Sequence, residues 1–163
     1  MEAQLKEVSI SSLDRIGEIL HDADFDTGEI SLDGETETLT IVFDQAVNQL
    51  PDDLAPPFPD RAGHGWFSYV RFHELMPFVE CELVIRTASA FHLDDDQTWG
   101  MLNDMSYDSA HGRVRINSVI GLSIHIDVER FEAAVRISDH VRSYRHITTW
   151  FCIFETSGKS LPA

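Results

Sequence analysis

Residues 21–33 read HDADFDTGEISLD, with carboxylates at Asp22, Asp24, Asp26 and Asp33. A calcium loop takes oxygen ligands at positions 1, 3, 5 and 12 and bends sharply at a glycine in position 6. Counting from Asp22 puts acids at all four ligand positions. The bend fails the pattern, because position 6 is Thr27 and the glycine arrives one residue late, at Gly28. Position 12 is a short Asp, and β-like text rather than a helix follows. The stretch therefore reads as a junction from helix to hairpin, and it assigns no metal ligand.

A second constellation has acid–base potential. His125 and Asp127 alternate onto the outward side of the segment LSIHID, and Arg113 and Arg115 do the same on the preceding GRVRIN. Such a face can bind an anion or move a proton; the structural alternative, cross-strand charge pairing on a solvated surface, is preferred. GHGW (63–66) offers His64 and Trp66 as a pocket wall, but a loop leading to a core tryptophan is the plainer reading. HLDDD (92–96) sets His92 beside three carboxylates whose side chains diverge, so it reads as an acidic turn. Cys81 and Cys152 each lie in apolar text and are expected to be buried free thiols. His73, His111, His140 and His146 show no ligand spacing. No nucleophile elbow, phosphate-binding glycine loop or paired Cys-x-x-Cys is present, so no catalytic residue, cofactor or metal is assigned.

The elements that must position these groups are mostly strands. SLDRIGEILH (12–21) places Leu13, Ile16, Ile19 and Leu20 on one helical stripe, with Ser11 or Ser12 as N-cap and Asp14 in the first turn. EISLD and TLTIVFD flank Gly34-Glu35 and predict a hairpin. Four of the six prolines fall in 45–65, which reads as a long loop. WFSYVRFHEL (66–75) and FVECELVIRTASAFHL (78–93) are expected as two strands split by Pro77. The segment 93–100 is a turn, and FEAAVRI (131–137) continues the preceding strand through a bulge or forms a helix. ITTWFCIFE (147–155) is a last strand.

The chain also resembles itself. LHDADFDTGEISL (20–32) and LNDMSYDSAHGRVRI (102–116) share Leu-x-Asp-x-x-aromatic-Asp before a turn with glycine, and LTIVFD matches LSIHID. Two similar β units, 20–44 and 102–127, follow from this, with Asp26 and Asp108 capping turn amides and Gly28 and Gly112 supplying positive φ. The expected architecture is α+β, mainly β: one domain over 1–163, an antiparallel sandwich or barrel-like sheet with one short N-terminal helix. The L-H-D-A-x-F junction at 20–25, followed by a hairpin, resembles the start of several small bacterial domain families without an assigned function. That resemblance implies nothing about activity.

The formal charge of −16 on 163 residues argues against nucleic acid and anionic lipid, which need clustered cations. No apolar run reaches the length of a membrane span, and the N-terminal text lacks the layout of a secretory signal, so a cytoplasmic location is expected. The charge suits a protein partner with a basic surface, and strand edges leave room for a homo-oligomer. The sequence thus favours a non-catalytic binding or interaction protein over a small enzyme or a metal-dependent binder.

Overall fold

The computed structural model describes residues 4–57, 65–68 and 71–150. After β1 (Leu5–Ile10) comes the helix α1 (Leu13–Leu20). Ser12 caps it, its hydroxyl accepting from the Arg15 amide at 3.3 Å, with Asp14 in the first turn. Ile16, Ile19 and Leu20 are buried and Leu13 is half-buried, as the stripe predicted. The buried Gln45 satisfies the helix end: its side-chain amide donates to the carbonyls of Ile19 (2.7 Å) and His21 (3.1 Å).

Next come β2 (Asp24–Asp33), β3 (Thr38–Ala46), a 3-10 turn at Val47–Gln49, β4 (Gly65–Ser68), β5 (Arg71–Arg86) and β6 (Ala88–Leu93). The chain continues with β7 (Trp99–Asp108), β8 (Arg113–Ser118), β9 (Ser123–Val128) and β10 (Ala133–Trp150). All join one antiparallel sheet in the order β1-β10-β5-β3-β2-β7-β8-β9-β6, with β4 beside β5. The order has two ends, so the sheet is not a closed barrel; it curls, sandwich-like, until β6 approaches β2 and β3, and the Ala88 amide donates to the Glu37 carbonyl at 2.8 Å. Leu39, Ile41 and Phe43 from β3, Cys81, Leu83 and Ile85 from β5, and Leu122, Ile124 and Ile126 from the β9 region fill the space between. Each fully buried aliphatic side chain of this kind contributes roughly 1.5–3 kcal/mol.

Several boundaries differ from expectation. Pro77 does not split a strand: it lies inside β5, opposite Tyr144 of β10. Pairing with β3 ends at Phe78 and pairing with β4 begins at Glu74, so Pro77 falls in a gap on that side, where its missing N–H breaks no ladder. The break comes instead at Thr87, whose φ of 57° turns the chain from one half of the sheet into the other. Its hydroxyl donates to the Arg130 carbonyl at 2.9 Å, and its carbonyl accepts from Glu129 at 3.1 Å, which pins the corner. WFSYVRFHEL divides between β4 and β5, and β1 lies where no element was expected. The parity change between Val128 and 131–137 is neither a bulge nor a helix. It marks the crossing from β9 to β10, which continues in one strand to Trp150.

The two proposed units share a capping chemistry but not a path. Asp26 Oδ1 accepts from the Gly28 amide at 2.7 Å, and Asp108 Oδ1 accepts from Ala110 at 3.0 Å and His111 at 3.3 Å. Residues 26–28, however, form a bulge inside β2, whereas 108–112 reverse the chain between β7 and β8. Gly112 takes the expected positive φ of 59°; Gly28 does not, because a bulge in an extended strand does not require it. The matching hairpins are also out of step by two residues: Ile30 faces Ile41, while Val114 faces Ile126.

Candidate functional site

Three acids line up across neighbouring strands on the outer face. Asp24 of β2 faces Asp44 of β3, and Asp44 faces Glu80 of β5. Like charges directly opposite one another destabilise a sheet, and here two arginines of β10 offset them. The Arg145 guanidinium donates one Nη to Asp24 and the other to Asp44 at 2.7 Å, and lies 4.0 Å over the Phe78 ring. Arg142 Nη1 is 3.3 Å from Asp44 and 3.1 Å from Glu80, and its Nη2 is 3.7 Å from Glu29. Side chains three apart on a regular strand point to opposite faces. Irregular pairing between Ile137 and Ser143 re-aims Arg142, so both arginines reach Asp44.

Beside this network lies an open groove of about 430 Å³. Phe25 and Trp99, the latter at the start of β7, are among the residues that line it. The two are set by the β2–β7 pairing, in which Phe25 faces Gly100 and Asp26 faces Trp99. A side chain at residue 100 would run into Phe25, since a Cβ there would sit 2.4 Å from the ring. Phe25 is buried, edge-on to Phe43 at 5.4 Å, while Trp99 remains 44% exposed. The bulge that carries Asp26 is held in place by Thr27, whose amide donates to the Thr98 carbonyl at 2.9 Å. Asp24, Asp26, Glu29 and Asp44 supply four carboxylates to the groove, against the two guanidiniums of Arg142 and Arg145, which leaves two negative charges in excess.

The calcium-loop carboxylates diverge. Asp22, at φ 59°, pairs with its neighbour His21 at 3.0 Å, and Asp24 belongs to Arg145. Asp26 caps Gly28, and Asp33 caps Glu35 and Thr36 at the far end of β2. The Thr36 hydroxyl, helped by those amides, holds the Asp33 carboxyl below its ordinary range. Among the described residues no group of three or more His, Cys, Asp or Glu is placed to hold a metal ion.

His125, Asp127, Arg113 and Arg115 do share one outer face. Arg113 Nε donates to Asp127 at 3.0 Å, and Arg115 donates to the Ser123 hydroxyl at 3.3 Å. The His125 ring stacks on that of His92, centroids 4.7 Å apart and 4° from parallel, with Asp94 3.8 Å from Nε2. Asp94 accepts from the Ser123 amide at 2.7 Å, the main reason its carboxyl stays below the usual range. HLDDD is thus a capped turn that contributes His92 and Asp94 to this face. Cys81 is a buried free thiol pushed up to about 12, chiefly by burial. Cys152, His64 and the Trp66 side chain lie outside the described residues. His73 and His146, which no spacing linked, stack with ring nitrogens 3.2 Å apart.

The groove residues that sequence reasoning missed are Asp44, Trp99, Arg142 and Arg145. Their meeting depends on strand order and on a bulge, neither of which is written locally. The only available signal was the short run of arginines in HVRSYRH.

Fold and site together define a curled antiparallel β protein with a mixed-charge, indole-lined groove on one face. Compared with known proteins, the chain matches no family model, no curated protein and no solved structure. Among the described residues, no helix is long and apolar enough to cross a membrane.

Proposed function

We propose that this is a non-catalytic interaction protein of the cytoplasm that binds a basic protein partner, seating a cationic side chain of that partner against Trp99. The observation that carries this reading is the cross-strand pair of Trp99 and Asp26 at the rim of a groove with excess carboxylate. An exposed indole face attracts a guanidinium or ammonium group through its quadrupole, by about 0.5–1 kcal/mol at exposed sites. A flanking carboxylate adds a charge-assisted hydrogen bond. Asp26 and Glu29 supply such carboxylates, since Arg145 already engages Asp24 and Asp44 and Glu29 meets Arg142 only at 3.7 Å.

The net charge of −16 supports the same reading at longer range, by speeding encounter with a positive surface. Calorimetric titration with a short arginine-rich peptide tests it. Wild type is expected to bind saturably at low salt and more weakly at high salt, and Trp99→Leu to lose most of the affinity. Equal affinity in the two proteins overturns the proposal.

A further inference from the structure

The outer face of β7, β8, β9 and β6 is ordered in three rows across the strands. One row runs Asp108–Arg113–Asp127, and another runs Asp104–Asn117–Ser123, with Asp94 beyond it. The row between them reads Ser106–Arg115–His125–His92. It holds a hydroxyl, a guanidinium and two imidazoles, and no carboxylate.

We infer that this middle row is a binding site for a small oxyanion, held between the Arg115 guanidinium and the His125 ring. Arg115 itself carries the inference. Every other arginine whose side chain is described has a carboxylate within 4.0 Å: Arg15, Arg86, Arg113, Arg130, Arg136, Arg142 and Arg145. Among the described residues Arg115 has none, and its one hydrogen bond goes to the Ser123 hydroxyl. In a chain so rich in acid, an arginine kept apart from carboxylates has its planar fork of donors open for an external acceptor.

The ring beside it is pre-positioned. His92 stacks on one face of His125, whose side chain is 20% exposed, and Asp94 lies on its Nε2 side. An oxyanion in the row accepts from the guanidinium and from an imidazole N–H. The charged groups around it are Asp94 in the loop after β6, Asp104 and Asp108 on β7, Arg113 on β8 and Asp127 on β9. These carboxylates bound the row on both sides, so a compact anion fits where an extended polyanion meets repulsion. The site is separate from the Trp99 groove, since none of its four residues lines that groove.

The test is NMR titration with inorganic phosphate, following the ring protons of His92 and His125, with acetate and chloride at matched ionic strength. Saturable shifts at both rings with phosphate, acetate or both support the site, and the stronger of the two identifies the preferred acceptor. Arg115→Gln is expected to weaken binding about tenfold. Arg115→Lys keeps the charge but not the fork; it is expected to fall between, and it serves alone if Arg115→Gln does not fold. Shifts that chloride reproduces, that do not saturate, or that persist unchanged in the folded Arg115 variants overturn the inference.

Discussion

Asp24 and Asp44 stand opposite each other on β2 and β3 and share one guanidinium, that of Arg145. Two like charges in direct register repel each other, and the guanidinium that bridges them offsets the repulsion. Arg145 also covers the Phe78 ring, so a single side chain from β10 ties the outer faces of β2, β3 and β5 together.

Arg145→Met is expected to lower stability by about 1 kcal/mol. The Arg145 side chain is 37% exposed, which limits the loss through solvent screening. Denaturant midpoints at unchanged m-value measure it, and Arg145→Lys is expected to recover part of the loss. A neutral Arg145→Met would mean that the bridge holds nothing together.

Gly112 and Gly28 occupy matching positions in the sequence but different bends. Gly112 has φ 59°, and a Cβ there would sit 2.6 Å from the Val128 carbonyl oxygen, on a segment whose Val128 amide donates back to Gly112. Gly112→Ala is expected to cost about 2 kcal/mol. Gly28→Ala meets only the Asp26 carboxylate, at 3.1 Å, and is expected to cost less than about 1 kcal/mol. Chemical denaturation of both variants checks the order, and a reversed order contradicts the assignment of the two bends.

Among the described residues five carboxyl groups sit below their ordinary range, each for a local reason. Glu7 is held down by Arg136, Asp33 by the Thr36 hydroxyl, Asp94 by the Ser123 amide, Asp108 by His111 and Asp139 by His140. In the unfolded chain such groups titrate near their ordinary values, roughly 4. The unfolded chain therefore takes up protons first as pH falls. The stabilisation they provide is complete above the ordinary range and is lost as pH drops through the lower folded values. Urea midpoints are expected to hold steady from neutral pH to about 5 and then decline. Asp94→Asn is expected to flatten the decline, and an acid limb identical to wild type would contradict the role of the Ser123 amide.

Cys81 faces Phe43 across β3 and β5 and is fully buried, with its thiol pushed up to about 12. In a Cys152→Ser background it is expected to resist aromatic disulfide reagents at pH 8 until denaturant is added, because the thiolate is the attacking species. Rapid modification of the native protein would show that β3 and β5 open easily.

Local patterns made much of this fold legible. The stripe through Ile16, Ile19 and Leu20 marks α1, and the alternation of Leu122, Ile124, Ile126 and Val128 marks the buried side of β9. The same alternation placed His125, Asp127, Arg113 and Arg115 on one face, where they are found. What failed depended on distant partners. Pro77 is harmless only because β3 stops and β4 has not begun beside it, and Thr87 makes a corner only because 129–130 hold it. The groove was illegible for the same reason. Trp99 meets Asp26 because β7 pairs with β2, and Arg142 joins Arg145 because β10 bulges.

The proposed seating of a cationic partner side chain against Trp99 is tested most directly by the indole N–H resonance of Trp99, followed while a short arginine-rich peptide is added at low salt. A saturable shift is expected, weakening as salt is raised and diminished by Asp26→Asn. Binding that leaves the Trp99 resonance unmoved, or no binding at low salt, would contradict that seating.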